Sequence, residues 1–369
     1  DVFAVESHHA PSSLVELINY FGKQCKGFNL IIERINDTTK SPKLRADTLV
    51  YYLKAIHDMK TYLTTSFIEE YSIRIKDASL DLLLNYTPDE LKATSKNSLV
   101  SVIEFLSAIL HHTMTPEEVG EIIEQFQLQI SMMCLDSPSL EKRLQGLQVI
   151  NNLIEMVNRR ENEARGMRQY QNYYPNSSHN RKSLATTKWL TSELLLNWME
   201  DKKVIDTLFG VKMHQELLKR SNEIFKFLTS KKKLTNEHID SLWDACNGKQ
   251  EDVMSAIFLI ITDLVNESAF NESLLKYLMD KIYNFPIKDY DSNFIIMLGE
   301  IEDICIVRGK ENFDGNPIEL LWKTIQDNSG ASEEVFYEAI EVFSKLIERL
   351  KSSKKYLEMC IDNLKNHTS

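Results

Sequence analysis

Histidine and cysteine, the residue types that most often supply catalysis or metal binding, are scattered along this chain. Nine histidines and five cysteines occur in 369 residues. The adjacent pairs His8-His9 and His111-His112 would point to different faces of a helix, so neither pair easily chelates one ion. The sequence contains no Cys-x-x-Cys pair, His-Glu-x-x-His motif, glycine-rich phosphate loop or Gly-x-Ser-x-Gly elbow. We therefore predict no catalytic, cofactor-binding or metal-binding residue here and no small-molecule substrate.

Cys246 is the cysteine that most resembles a nucleophile, because it follows a tryptophan near a predicted helix end. It also completes the apolar stripe Ile239, Leu242 and Trp243, and a helix C-terminus disfavours the thiolate that a nucleophile requires. We therefore predict a packing role. Trp243 and Trp322 each follow a leucine at helical spacing, which predicts interior anchors; a stacking platform for a base or sugar is the alternative.

Charge and cysteine usage restrict the class of partner. The formal net charge is −11 and the isoelectric point is near 5.4, which argues against nucleic acid and anionic membranes and favours basic protein surfaces. The longest apolar run, Met254 to Ile261, is far shorter than a membrane span needs. The three lysines Lys231–Lys233 predict a solvated turn, with a localisation or binding patch as the minor alternative. Unpaired cysteines indicate a cytoplasmic protein.

The elements that would position any site are predicted to be helices. Apolar residues recur with the helical period almost everywhere after residue 44, and only 11 glycines and 8 prolines occur in the whole chain. Three segments combine a capping residue, a proline and a carboxylate, which marks helix starts at Thr87-Pro88, Thr115-Pro116 and Asn316-Pro317. About fifteen helices with short connections are expected, and the first fold prediction is all-α.

An internal repeat decides between a closed bundle and a stacked array. The segment Ile239-Asp-Ser-Leu242-Trp243 is echoed by Ile318-Glu-Leu-Leu321-Trp322, and the two Leu-Trp pairs lie 79 residues apart. That distance equals two periods of about 40 residues, the length of a HEAT or armadillo repeat. We predict an α-solenoid of stacked helix pairs, armadillo- or HEAT-like.

A polar stretch interrupts the predicted solenoid. Residues 160–183 contain no Leu, Ile, Val or Phe, so they cannot form a core. We predict N-terminal helical repeats over 1–159, a polar flexible loop over 160–183, and C-terminal repeats over 184–369 that continue the same solenoid. The tyrosines between Tyr170 and Pro175 are either part of a mobile loop, the favoured interpretation, or a short recognition motif.

Several short segments of this sequence resemble those of one known family. The most specific runs from Leu234-Thr235 through Ile239-Asp240 and Leu242-Trp243 to Gly248-Lys249 and Glu251, and weaker ones are Gln127 to Leu147, Trp189-Leu190-Thr191 with Trp198, and Leu320-Leu321-Trp322. From about Glu124 to Glu348 the chain is similar to the helical-repeat region outside the protease domain of the large fat-facets-type ubiquitin-specific proteases. Residues 1 to about 110 match only in character.

The resemblance implies a non-catalytic scaffold region of a large cysteine-type deubiquitinase. Its partners would be protein substrates or adaptors, ubiquitin-linked proteins among them. The family's protease domain has a cysteine box and a distant histidine box, and no cysteine here has that setting, so no catalytic residue is carried over. The first residue is Asp, which also suits a segment of a longer protein. A free-standing HEAT- or armadillo-type adaptor with no linked enzyme remains the alternative.

Overall fold

The computed structural model describes ten stretches of the chain: residues 16–17, 20–22, 24–37, 43–59, 65–173, 189–210, 213–246, 251–309, 316–350 and 353–366. Within these stretches every regular element is helical and no strand occurs, so the all-α prediction is confirmed. The chain divides into two compact units, Asp1–Asn197 and Trp198–Ser369.

The N-terminal unit is built from helices that pack on near neighbours in sequence. They are α1 (Gly27–Ile35), α2 (Ala46–Met59), α3 (Thr65–Leu84), α4 (Pro88–Ala93), α5 (Lys96–Leu110), α6 (Pro116–Asp136) and α7 (Leu140–Tyr173), followed by α8 (Ser192–Asp201), within which the chain passes to the second unit. Helix α2 packs on α5, and α6 packs on α7. Leu49, Leu53 and Val102 have no exposed surface, and burial of each side chain stabilises the fold by about 2 kcal/mol.

The C-terminal unit contains nine further α-helices in the part of the chain that the structure describes. They are α9 (Val204–Phe209), α10 (Gln215–Ser230), α11 (Asn236–Asp244), α12 (Glu251–Asn266), α13 (Glu272–Tyr283), α14 (Ser292–Val307), α15 (Pro317–Thr324), α16 (Glu333–Ile347) and α17 (Ser353–Asn366), with a 3-10 turn at Ile287–Asp289 before α14. Connections between consecutive helices are short, as the sequence predicted.

These helices form two layers. In the second layer, α10, α12, α14 and α16 each pack on the next, and α14 approaches α16 so closely that a Cβ on Gly299 would strike Val342. In the first layer, α9 packs on α11 and α11 on α13. A hydrogen bond between Lys323 and Tyr283 joins α15 to α13, and Lys355 pairs with Glu319 at 3.4 Å to join α17 to α15. A two-layer stack of helix pairs is an α-solenoid, as predicted.

The repeat length is visible in the contacts between neighbouring helices of one layer. Four hydrogen bonds join equivalent positions of neighbouring helices. In three of them the two residues are 42 positions apart in the sequence: Glu251 with Asn293, Ser292 with Glu334, and Asn266 with Arg308. In the fourth, Tyr283 with Lys323, they are 40 positions apart. Trp243 and Trp322 lie in the same layer two helices apart, on α11 and α15. The predicted period of about 40 residues is therefore confirmed.

The predicted helix starts are also confirmed. The hydroxyls of Thr87 and Thr115 accept the backbone N–H of the residue three positions on, and Glu90 and Glu118 complete the two capping boxes. Asn316 accepts the backbone N–H of Ile318 at 3.2 Å. Each cap satisfies an N–H that the first helical turn leaves without a partner, which fixes where α4, α6 and α15 begin.

The predicted loop over 160–183 is wrong in its first half. Helix α7 continues through residue 160 to Tyr173. Its Arg, Glu, Gln, Met and Ala residues are good helix formers even though they cannot build a core, and the first proline is Pro175. Residues 174–183 lie outside the described part of the chain, so the rest of the loop and its recognition motif stay predictions. That the stretches 1–159 and 184–369 form one continuous solenoid also stays a prediction.

Candidate functional site

The cysteines do not form a reactive centre in the structure. Cys134, Cys246 and Cys305 are buried, whereas Cys25 and Cys360 are exposed. Burial raises the pKa of the Cys246 thiol to about 12 and that of the Cys134 thiol to about 11, so both are protonated at neutral pH. Burial of Cys246 agrees with its predicted packing role. Among the described residues, no group of three or more His, Cys, Asp or Glu side chains is arranged to hold a metal ion.

The two tryptophans predicted to be interior anchors are only half-buried. The ring of Trp243 lies 5.7 Å from that of Phe285 and 6.5 Å from that of Phe294, and Trp322 packs on Phe343 at 5.6 Å. Each ring thus anchors its repeat with one side and reaches the surface with the other. The predicted interior position is therefore confirmed for the side of each ring that packs on its aromatic neighbours, and not for the side that reaches the surface.

An open cavity of about 390 Å³ lies beside Trp243, lined also by Tyr277, Lys281 and three further residues of α13 and its end. Two of its polar side chains, Lys281 and Tyr277, bond to Asp240 of α11. Lys281 pairs with Asp240 at 2.5 Å and the hydroxyl of Tyr277 donates to Asp240 at 2.8 Å. The bond from Lys281 holds the pKa of Asp240 below its ordinary value. This network joins α11 to α13, which is a structural role.

A second cavity, of about 410 Å³, lies in the N-terminal unit around Tyr86 and Lys43. The hydroxyl of Tyr86 donates to the carbonyl of Leu44 at 2.6 Å, and the backbone N–H of Lys43 donates to Glu90 at 2.9 Å. Glu90 also belongs to the capping box of α4. These bonds hold the segment before α2 against α4, so the polar groups that form them have a structural role.

The lysine run at Lys231–Lys233 forms a turn after α10, as predicted. Lys231 ends the helix and its ammonium group lies 5.4 Å from the ring of Phe227. Lys232 adopts a positive φ of 58°, which reverses the chain direction. The three residues therefore connect two helices.

The surface of the second layer is strongly acidic on three successive helices. Helices α12, α14 and α16 contain a single lysine, Lys345, and no arginine. Nine of their acidic residues are exposed or half-exposed: Glu251, Asp252, Asp263, Glu300, Asp303, Glu333, Glu334, Glu338 and Glu341. The four first-layer helices α11, α13, α15 and α17 carry eight acidic residues against six lysines. The excess negative charge of these seven helices is therefore concentrated on α12, α14 and α16.

The same three helices expose large apolar side chains. Leu259 on α12 is 57% exposed, Ile296 on α14 is 43% exposed and Tyr337 on α16 is 62% exposed. They lie off the buried stripes, which on α14 contain Phe294, Leu298 and other residues that the helical period predicted. We call this solvent side of α12, α14 and α16 the acidic face, and define it by Leu259, Ile296, Glu300, Tyr337 and Glu341.

Sequence reasoning missed the acidic face. Its residues look unremarkable one at a time, because a single exposed leucine or glutamate is normal on any protein surface. The available signal was the absence of Lys and Arg from three helices spaced one repeat apart, together with apolar residues out of phase with the buried stripe. This signal can be recognised only when it is known which helices share a layer. The contacts between repeats determine that arrangement.

The fold defines a class, a helical repeat array of the armadillo kind. Comparison with known families gives the particular one: a family model described as the UBP24/USP9X/USP9Y ARM repeat matches residues 121–369. This chain belongs to that family. The resemblance inferred from Glu124 to Glu348 is thus confirmed, and the match extends to the last residue.

Similar proteins include several ubiquitin carboxyl-terminal hydrolases. Mouse ubiquitin carboxyl-terminal hydrolase 9Y is 25% identical over 272 residues, which cover 72% of this chain and 10% of that protein. The probable ubiquitin carboxyl-terminal hydrolase FAF of Drosophila melanogaster is 21% identical over 377 residues, 95% of this chain and 13% of that protein. Human ubiquitin carboxyl-terminal hydrolase 34 is 19% identical over 198 residues, 54% of this chain and 5% of that protein. The chain spans about a tenth of the length of the first two.

No helix in the described residues is long and apolar enough to cross a bilayer.

Proposed function

We propose that this chain is a non-catalytic interaction region of a larger cysteine-type deubiquitinase. It docks protein substrates or adaptors for a protease domain that lies outside residues 1–369, and it works in the cytoplasm. The observation that carries the proposal is the match of residues 121–369 to the ARM repeat of ubiquitin-specific proteases. The similar ubiquitin carboxyl-terminal hydrolases are some tenfold longer than the segment that aligns with this chain, which supports its being a region of a larger enzyme.

The fold suits this role for a physical reason. Stacked helical pairs bury one continuous core and leave long, ordered helix faces to solvent, so a solenoid offers more rigid surface than a globular domain of equal mass. A rigid surface loses little conformational freedom when a partner binds. Docking is therefore the role that this geometry supports best.

A free-standing adaptor with no linked enzyme is the second candidate, since the repeats alone would suit it equally well. Capture of the native protein from its source with an antibody against residues 189–210 separates the two. We expect a species many times heavier than the 42.8 kDa of this chain that reacts covalently with a ubiquitin-based cysteine probe. The isolated chain should not hydrolyse ubiquitin-rhodamine.

An unlabelled native protein of about 43 kDa would favour the free-standing adaptor and overturn the proposal. Thiol-sensitive turnover of ubiquitin-rhodamine by the isolated chain would overturn its non-catalytic part. Mutation of the labelled protein's reactive cysteine is the matched control, because it should abolish labelling while antibody capture through this chain is unchanged.

A further inference from the structure

Helices α12, α14 and α16 run side by side in register. At their N-terminal ends, Asn293 donates to Glu251 and Ser292 donates to Glu334, each at 3.4 Å. Near the C-terminal end of α12, the guanidinium group of Arg308 donates to the carbonyl of Asn266 at 2.6 Å. Because α12 and α14 are tied at both ends, and α14 and α16 at their N-terminal ends, residues one repeat apart lie next to each other across the layer.

This register groups the side chains of the acidic face into rows. Ile296 and Tyr337 occupy equivalent positions on α14 and α16, and both are exposed. In the row one helical turn further on, Leu259 of α12 precedes Glu300 of α14 and Glu341 of α16. On α14 and α16 an apolar pair, Ile296 and Tyr337, therefore lies directly beside an acidic pair, Glu300 and Glu341.

Much of the negative charge is not neutralised by the chain itself. Within the described residues, Asp252 and Glu300 form no ion pair, and α12 and α14 contain no Lys or Arg. Glu341 pairs with Lys345 at 2.6 Å, but both side chains are more than 60% exposed, so water screens that pair strongly. Asp263 and Asp303 also pair with cations, Lys226 and Arg349. A partner with positive charge would therefore find its unpaired carboxylates at Asp252 and Glu300, and a weakly held one at Glu341.

We infer that the acidic face binds a lysine- or arginine-rich segment of a partner protein that also presents apolar side chains. This inference rests on the proposed docking function and specifies its surface and the chemistry of its partner. The cations of the segment pair with Glu300, Glu341 and their neighbours, and its apolar side chains cover Ile296, Tyr337 and Leu259. An aromatic side chain flanked by charges is a frequent anchor of protein interfaces.

Charge decides among the possible occupants. A second copy of this face would bring two acidic surfaces together, and like-charge contact opposes association. Nucleic acids and anionic lipids are repelled for the same reason. A basic amphipathic segment satisfies both halves of the surface, since its cations match the carboxylates and its apolar side chains remove Ile296 and Tyr337 from water.

The experiment uses the whole 369-residue chain and a fluorescent 16-residue peptide of leucine and lysine with amphipathic helical spacing. Fluorescence anisotropy at about 150 mM salt measures binding, with circular dichroism to verify the fold of each variant. We expect saturable binding that the double variant Glu300→Gln/Glu341→Gln weakens about tenfold, because rim charges of this kind each change affinity severalfold. Ile296→Ala/Tyr337→Ala should weaken binding about as much.

Asp280→Asn/Glu358→Gln is the matched control. It removes two exposed carboxylates from the first layer, and so changes the net charge equally, and it should alter affinity less than twofold. Equal weakening by the control pair would show attraction to overall charge and overturn the inference, as would absence of binding. A peptide with serine in place of leucine should bind markedly more weakly; equal binding would remove the apolar part of the proposed contact.

Failure of basic-segment binding at the acidic face can be distinguished from failure of the proposed function. If the native protein is labelled by the ubiquitin probe while the peptide does not bind, the docking region exists but uses another surface. If the peptide binds at the acidic face while the native protein is unlabelled at about 43 kDa, the surface is real and belongs to an adaptor. In that second case the proposed function fails alone.

Discussion

Replacing Phe294 with alanine is expected to lower the free energy of unfolding of the C-terminal unit by about 3–5 kcal/mol, the cost typical of removing a fully buried aromatic ring. Phe294 has no exposed surface. Its ring lies 4.3 Å from that of Tyr290, 5.2 Å from Phe285 and 5.5 Å from Phe258. Deletion leaves a cavity bordered by residues of several helices, which cannot all move inward to fill it.

Urea denaturation monitored by tryptophan fluorescence measures this loss, because Trp243 lies 6.5 Å from Phe294 and reports the same cluster. Ile296→Ala is the matched control on the same helix. Ile296 is 43% exposed, so its truncation should cost no more than about 1 kcal/mol. A loss below about 1 kcal/mol for Phe294→Ala would mean that the aromatic cluster does not hold α14 to its neighbours.

Glu124→Ala is expected to destabilise the N-terminal unit by about 3 kcal/mol. The carboxylate of Glu124 is buried, accepts from the guanidinium group of Arg160 at 2.6 Å and accepts from the backbone N–H of Leu190 at 2.8 Å. Removing one partner of a buried ion pair costs about 3–5 kcal/mol. The lower value is expected because the side chain of Arg160 keeps 21% of its surface exposed.

Thermal unfolding followed by circular dichroism tests this change against Glu117→Ala, which removes a half-exposed carboxylate from the first turn of the same helix. The control should cost less than about 1 kcal/mol, the usual value of a surface charge near a helix N-terminus. Glu124→Gln should fall between the two, since an amide oxygen still accepts from Leu190 but does not neutralise Arg160. Equal stability of Glu124→Ala and Glu117→Ala would contradict the role of this ion pair.

Local signals explain why much of the fold was predictable from sequence. The boxes at Thr87 and Thr115 lie within four consecutive residues, so they identify helix starts without any knowledge of packing. The repeat was visible because Trp243 and Trp322 each follow a leucine in the second half of α11 and α15. The end of α7 is not evident from the sequence, because a helix can continue through residues that bury no apolar side chain.

Tertiary features were beyond the sequence for a different reason. Glu124 and Leu190 are separated by 66 positions, and no local pattern connects them. The acidic face likewise depends on α12, α14 and α16 sharing one layer, with α13 and α15 in the other. Composition predicted basic protein partners from the net charge alone, but it could not say where on the molecule that charge lies.

The central claim, that this chain docks clients for a deubiquitinase, is tested most directly by competition in cells of its source. Excess free chain should occupy the clients without cleaving their ubiquitin, and quantitative ubiquitin-remnant proteomics measures the outcome. We expect conjugates of a restricted set of proteins to accumulate, with no such change at equal expression of an unrelated helical repeat protein. Unchanged ubiquitin conjugates despite high levels of folded chain would contradict the claim.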